Sequence, residues 1–261
     1  MPVLGIIASS KLKGPTTPVA GYTVWLDASD TGTITSSGGD VSQWSDKSVN
    51  GRNFTQSSAT AKPKTGTRTL NGKNVIDFDG TNDFLSCPSS TTLFNYLHNP
   101  TGATLFIVGI VDDNAASKTI LNNEGASSAN RGIRYFIKNT EQDFVGVRRG
   151  VNGTDAAEIE NNITLTGGSG FYITNKFDSN NATAANRLKI SLNGAAFVGT
   201  NIQTNSATTG NATFNLHMGI GADSLFAPWD GAFGEFLFYS GILSAQDIAD
   251  NQSYLKNKWG L

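Results

Sequence analysis

The chain has 261 residues, 29 of them glycine, with 15% charged residues and a formal net charge of -2. Near-neutral balance, with no basic cluster beyond Arg148 and Arg149, removes the electrostatic term that drives nucleic-acid binding. A single cysteine, Cys87, excludes an internal disulfide framework, and a buried inert thiol is its expected fate.

The opening, MPVLGIIASSKLKGPTTPVAG, differs in kind from the remainder of the chain. Val3, Leu4, Ile6 and Ile7 form an apolar run with no basic segment before it, too short for a signal peptide or a membrane span. Gly14, Pro15 and Pro18 read as a short stiff linker. Residues 1–20 are therefore expected to form an arm and 21–261 a single domain. The domain opens with the strand YTVWL, then VSQW after a polar loop. Further strands are expected at Val75 to Phe78, Phe84 to Ser86, Ala103 to Val111, Thr119 to Leu121, Gly132 to Lys138 and Asp143 to Arg148. The series continues at Phe171 to Phe177, Arg187 to Leu192 and Phe214 to Ile220. Leu188, Ile190 and Leu192 alternate with polar residues, which predicts one wet face, and Asn193-Gly194 after them is a tight hairpin signal.

The last stretch, AFGEFLFYSGILSAQDIADNQSYLKNKWGL, organises the rest. Phe236 and Phe238 alternate with Leu237 and Tyr239, so this strand is expected to be covered on both faces. Ser244 is placed to cap a helix, with Asp247 in the capping-box position and Leu243 and Ile248 at the positions of a hydrophobic staple. Ile248, Leu255 and Trp259 then form one apolar stripe. The predicted architecture is all-β: two antiparallel sheets with one C-terminal helix laid on the final strand.

This ending resembles the close of the concanavalin A-like, laminin-G-like jelly-roll domains common in bacterial and phage proteins. The segments YTVWLDASDTGTIT, VSQWSDKSVNGRNFTQ and NGKNVIDFDGTNDFLS resemble the opening of the same domains, so the likeness covers Tyr22 to Leu261. It implies a two-sheet jelly-roll sandwich and is weak for function, because lectins, glucanases, adhesion modules and virion parts share that fold.

Glucanases of this fold place three carboxylates on one strand in an E-x-D-x-x-E pattern. Glu158 and Glu160 are the nearest match here, but the third position is Ile163. Asp77 and Asp79 also share a strand face, next to a turn. The two histidines, His98 and His217, are both expected to be hydrogen-bonded structural residues. Asp46, Ser48, Asn50 and Gly51 match the start of a calcium loop, which many lectins of this fold use, but position twelve is Ser57. Capping of loop amides by Asp46 and Asn50 is the preferred alternative, so no metal or cofactor is expected. Trp44, Trp229, Tyr135 and Tyr172 are the aromatics available to stack on sugars, although Trp44 and Trp229, like Trp25, sit among small and apolar neighbours where burial is the default.

The GIIASS opening also resembles leaders of tailed-phage structural proteins. The expected function is therefore a non-enzymatic virion subunit (head decoration, head fibre or tail-associated), made in the host cytoplasm. Val3, Leu4, Ile6 and Ile7 would attach it to neighbouring capsid or tail subunits in many copies or as a homo-oligomer. Folding of the arm onto its own sandwich is the competing account. The body would present a surface for host glycans or shield the capsid. A free carbohydrate-binding module, with or without calcium, is the first alternative, and a glycoside hydrolase the second.

Overall fold

The computed structural model describes residues 14–112, 116–125, 132–138, 144–151, 154–160, 163, 165–178, 181–201, 210–223 and 225–261; of 144–151 and 154–160 it describes the backbone only. The described residues form seventeen strands. The first seven are β1 (Val24–Asp27), β2 (Ile34–Ser37), β3 (Asp40–Trp44), β4 (Phe54–Thr55), β5 (Lys64–Leu70), β6 (Lys73–Asp79) and β7 (Leu85–Cys87). Next come β8 (Ala103–Val111), β9 (Lys118–Asn122), β10 (Gly132–Lys138), β11 (Phe144–Val151) and β12 (Thr154–Glu160). The last are β13 (Gly170–Phe177), β14 (Leu188–Leu192), β15 (Thr200–Asn201), β16 (Leu216–Met218) and β17 (Asp230–Ser240), before the single helix α1 (Ala245–Trp259).

Two antiparallel layers result. In sheet I, β14, β13, β8 and β17 lie side by side, and the far edge of β17 pairs first with β6 and then with β1. Sheet II runs β2, β3, β4, β7, β16, β9, β10, β11, β12. A β3–β5 bridge at Asp40 and Lys64 and the β12–β15 pairing join the layers at opposite margins. The core between them takes Leu105 and Ile107 from β8, Phe236 and Phe238 from β17, and Trp44, Phe54 and Leu216 from sheet II. This is the expected two-sheet sandwich with one C-terminal helix.

The final strand carries the arrangement. A bulge at Gly234 resets the alternation, so Phe233 and Phe236 both enter the core while Glu235, Leu237 and Tyr239 turn outward. Only glycine fits there, because a Cβ would lie 2.9 Å from the Trp259 ring. Outside, Leu237 and Tyr239 join Phe106, Val108, Ile248, Leu255 and Trp259 in a second apolar cluster beneath α1. The Ser244 hydroxyl accepts from the Asp247 amide at 3.1 Å and donates to its carboxylate at 2.7 Å. Gly260, left-handed at φ 70°, closes the helix.

The Asn193-Gly194 turn forms with both residues at positive φ (50° and 76°), as a type I′ turn needs. The face of β14 expected to be wet is not wholly so: Ser191 is buried under α1, within reach of Gln252. Cys87 is buried, and desolvation pushes its thiol up to about 11, the inert state expected of it.

The arm residues Val3, Leu4, Ile6 and Ile7 lie outside the described residues. The linker after them is held along α1: Gly14 lies against Asn257, the Val19 amide donates to Asn251 at 2.9 Å, and the Tyr239 hydroxyl donates to the Val19 carbonyl at 2.6 Å.

Trp259 fills the space between α1 and β17 at full burial and donates its indole N–H to Glu235 at 2.7 Å. Trp259→Ala should cost about 3–5 kcal/mol. Urea unfolding will read this; an unchanged midpoint would make α1 an appendage rather than part of the sandwich.

Candidate functional site

Sheet I has its outer face under α1, so the outer face of sheet II is the one that α1 leaves uncovered. Strand register places one row of residues across five strands there. Thr55 on β4 pairs with Ser86 on β7, Ser86 with His217 on β16, His217 with Asn122 on β9, and Asn122 with Arg134 on β10. The neighbouring rows (Leu85, Met218, Leu121 and Tyr135; Cys87 and Leu216) point into the core. Alternation thus turns a polar row away from the core, although Asn122 within it is buried and accepts the Ala222 amide at 2.8 Å.

The row passes through an open cleft of 540 Å³, within the roughly 300–1,000 Å³ usual for small-molecule sites. Thr55, Ser86 and His217 of the row line it together with Phe84, Ser42, Gln56, Ser57 and Lys62. Phe84 and His217 stack, with centroids 4.9 Å apart and planes at 27°. Burial holds the His217 imidazole down at about 4, so it is neutral at pH 7. Its Nδ1 is buried with no hydrogen-bond partner among the described residues. This corrects the expectation of a hydrogen-bonded structural histidine: β16 turns His217 outward while Leu216 and Met218 pack inside. His98, by contrast, is fully buried.

Gln56 is already engaged. Its amide nitrogen donates to the Phe84 carbonyl at 3.1 Å and its oxygen accepts from the Ser58 amide at 2.9 Å. It therefore braces the cleft wall and fixes the backbone that carries Phe84.

The expected sugar-stacking aromatics are elsewhere. Trp44, Trp229 and Tyr135 are fully buried and Tyr172 is 2% exposed, so none of the four presents a face to solvent. Phe84 and His217 are the aromatic pair that reaches the cleft. Register could have found them, since Phe84 and Ser86 alternate with the buried Leu85 and Cys87.

The carboxylates do not assemble into a glycosidase pair among the described side chains. Asp77 is paired with Arg68 at 3.3 Å, and Asp79 accepts the amides of Thr81 and Asn82. Asp83 is pushed up to about 6 by burial and by the nearby Asp79 charge, as a general acid would be, but it is 5% exposed and accepts the Asp79 amide at 3.0 Å. It closes its own turn. Glu158 and Glu160 are described by backbone alone, in register with Arg148 and Thr200.

The calcium-like loop has its oxygens occupied. Asp46 accepts from the amides of Trp25, Ser48 and Arg52 at 2.8–2.9 Å and from the Ser48 hydroxyl at 2.6 Å. Asn50, expected to cap amides, instead donates to the Thr23 carbonyl at 3.0 Å. No group of three or more histidine, cysteine, aspartate or glutamate side chains is placed to hold a metal ion among the described residues. Among the same residues, no helix is long and apolar enough to cross a membrane.

Two results are expected. EDTA leaves the melting temperature unchanged, whereas Asp46→Ala lowers stability by about 2–4 kcal/mol, because it strands buried amides of β1 and the loop. A calcium-dependent rise in melting temperature that Asp46→Ala abolishes would reverse this reading.

No family model matches the chain, and no curated protein matches it. Solved structures share the fold. Domain 4 of the arabinanase AbnA from Geobacillus stearothermophilus, in complex with arabinotriose, is similar over 89% of this chain and 98% of its own, with a TM-score of 0.55 and 14% identity. Trypanosoma rangeli sialidase is similar over 92% of this chain but only 33% of its own, with a TM-score of 0.53 and 14% identity. At these identities the likeness is one of fold, a coarse concanavalin A-like sandwich.

Proposed function

We propose that this chain is a non-catalytic carbohydrate-binding module whose ligand lies on the outer face of sheet II, over Phe84 and His217. The observation that carries the reading is a polar row on β4, β7 and β16 (Thr55, Ser86, His217) that lines a cleft with a stacked ring pair, Phe84 and His217. Sugars are bound this way in chemical terms: a ring face meets the apolar side of the pyranose or furanose while short polar side chains meet its hydroxyls. The arabinotriose complex of the AbnA domain, which has this sandwich, adds support from a neighbour. Binding without hydrolysis is the reading that suits the cleft, which no carboxylate lines.

The finer reading is that the module is carried on a phage virion through Val3, Leu4, Ile6 and Ile7. What supports it is the placement of the linker: residues 14–19 run along α1, on the face opposite the cleft. An arm leaving from there would anchor the body and leave the cleft facing outward.

Glycan-array screening followed by calorimetry tests the module reading. Phe84→Ala should weaken the best ligand by about tenfold without lowering the melting temperature by more than a few degrees. Deleting residues 2–13 should leave that affinity intact while abolishing incorporation into particles. Absence of any glycan binding, or affinity indifferent to Phe84, would overturn the site.

A further inference from the structure

We infer that the ligand of this cleft is an acidic saccharide, held at its anionic group by Lys62 and His217. The inference rests on the carbohydrate reading above and names the substrate class of the same site.

Lys62 lines the cleft and forms no ion pair or hydrogen bond among the described residues. It is flanked in sequence by the buried Ala61 and Pro63, so its backbone is fixed even though its side chain is unpaired. The nearby Lys64 is different, because it is paired with Asp40. The His217 ring lines the cleft with Lys62, and the hydroxyls of Ser57 and Ser86 add donors that can also accept. Negative charge is absent: among the described residues no aspartate or glutamate lines the cleft, the Gln56 carbonyl oxygen is occupied by the Ser58 amide, and the remaining acceptors are neutral serine and threonine hydroxyls.

A neutral sugar can place its hydroxyl protons on those hydroxyls, but it brings no charge to balance the Lys62 ammonium. A carboxylate or sulfate is acceptor-only, and it matches a lysine ammonium, an imidazole N–H and serine hydroxyls. An unpaired ammonium in a partly enclosed, carboxylate-free cleft also supplies an attraction that neutral ligands cannot use. The whole chain is slightly acidic, at a net charge of -2, so this is a local preference rather than general attraction of anions.

The test is calorimetry of the full chain against matched oligosaccharides: a uronate oligomer, its carboxyl-reduced neutral counterpart, and a sulfated oligomer of the same length. The expected result is binding of the uronate or the sulfated oligomer at least tenfold tighter than the neutral one, weakening with added salt. Comparing those two arms tells a carboxylate site from a sulfate site. Lys62→Met should remove the preference, bringing the acidic oligomer's affinity down to that of the neutral one measured on the same variant, and His217→Phe should weaken the acid but keep the ring stack. Equal affinity for acidic and neutral oligomers, still dependent on Phe84, would overturn the acidic preference and leave the glycan site standing. Binding of none of the three would overturn both.

Discussion

A buried carboxylate holds this structure together. Glu235 is fully buried in β17, and each of its oxygens accepts two hydrogen bonds. Trp25 of β1 and Tyr254 of α1 donate to one, at 2.8 and 2.7 Å; Lys258 and Trp259 of α1 donate to the other, at 2.8 and 2.7 Å. Burial pushes its pKa up, against the pull of Lys258, so the charge is costly there and tolerable only with this full set of donors. Lys258 also meets Asp27 at 2.7 Å, and Asp27 meets Lys47 at 3.2 Å. Burial raises the Asp27 pKa too, but the Lys258 charge and hydrogen bond, Ser29 and Lys47 outweigh it and hold the carboxyl low. The alternating chain of charges ties the helix, the last strand and the first strand to one register. A pair of apolar surfaces could slide; this arrangement cannot without stranding a charge.

From that anchorage the two faces of the sandwich acquire different roles. The outer face of sheet I is given to α1 and to the linker beyond it, with Leu237, Tyr239 and Phe106 sealed beneath. Among the described residues nothing similar covers the Thr55, Ser86 and His217 row of sheet II, and the side chains there are short, polar or aromatic. Burial of one face is what makes the other available. The linker and the cleft are thereby on opposite sides, which suits a displayed module.

Much of the fold is legible in local pattern. The alternation of Phe236 and Phe238 with Leu237 and Tyr239, and the Ser244 cap, rest on local periodicity and local hydrogen bonding, which a sequence carries directly. Short edge strands such as β2 and β15 are not legible this way, because Ile34–Ser37 and Thr200–Asn201 have no apolar alternation of their own and exist through their partners. The role of Glu235 is hidden for a related reason: its four donors come from residues 210 positions before it and up to 24 after it. The site is less legible still. Trp44, Trp229, Tyr135 and Tyr172 are natural choices by residue type, yet each falls on an inward or helix-covered row. His217 and Phe84 become neighbours only when β16 pairs with β7, and that pairing spans more than a hundred residues.

The central claim is that recognition occurs on the outer face of sheet II and that the α1 face is structural. A crystal structure of the full chain with the best oligosaccharide from array screening tests this most directly. The account predicts a sugar ring over Phe84 and His217, with a polar atom of the ligand within hydrogen-bond distance of Ser86 or Lys62 and its chain extending along the Thr55, Ser86 and His217 row. A sugar seated against α1, or on the Asp46 to Gly51 loop with the sheet II cleft unengaged, would contradict it.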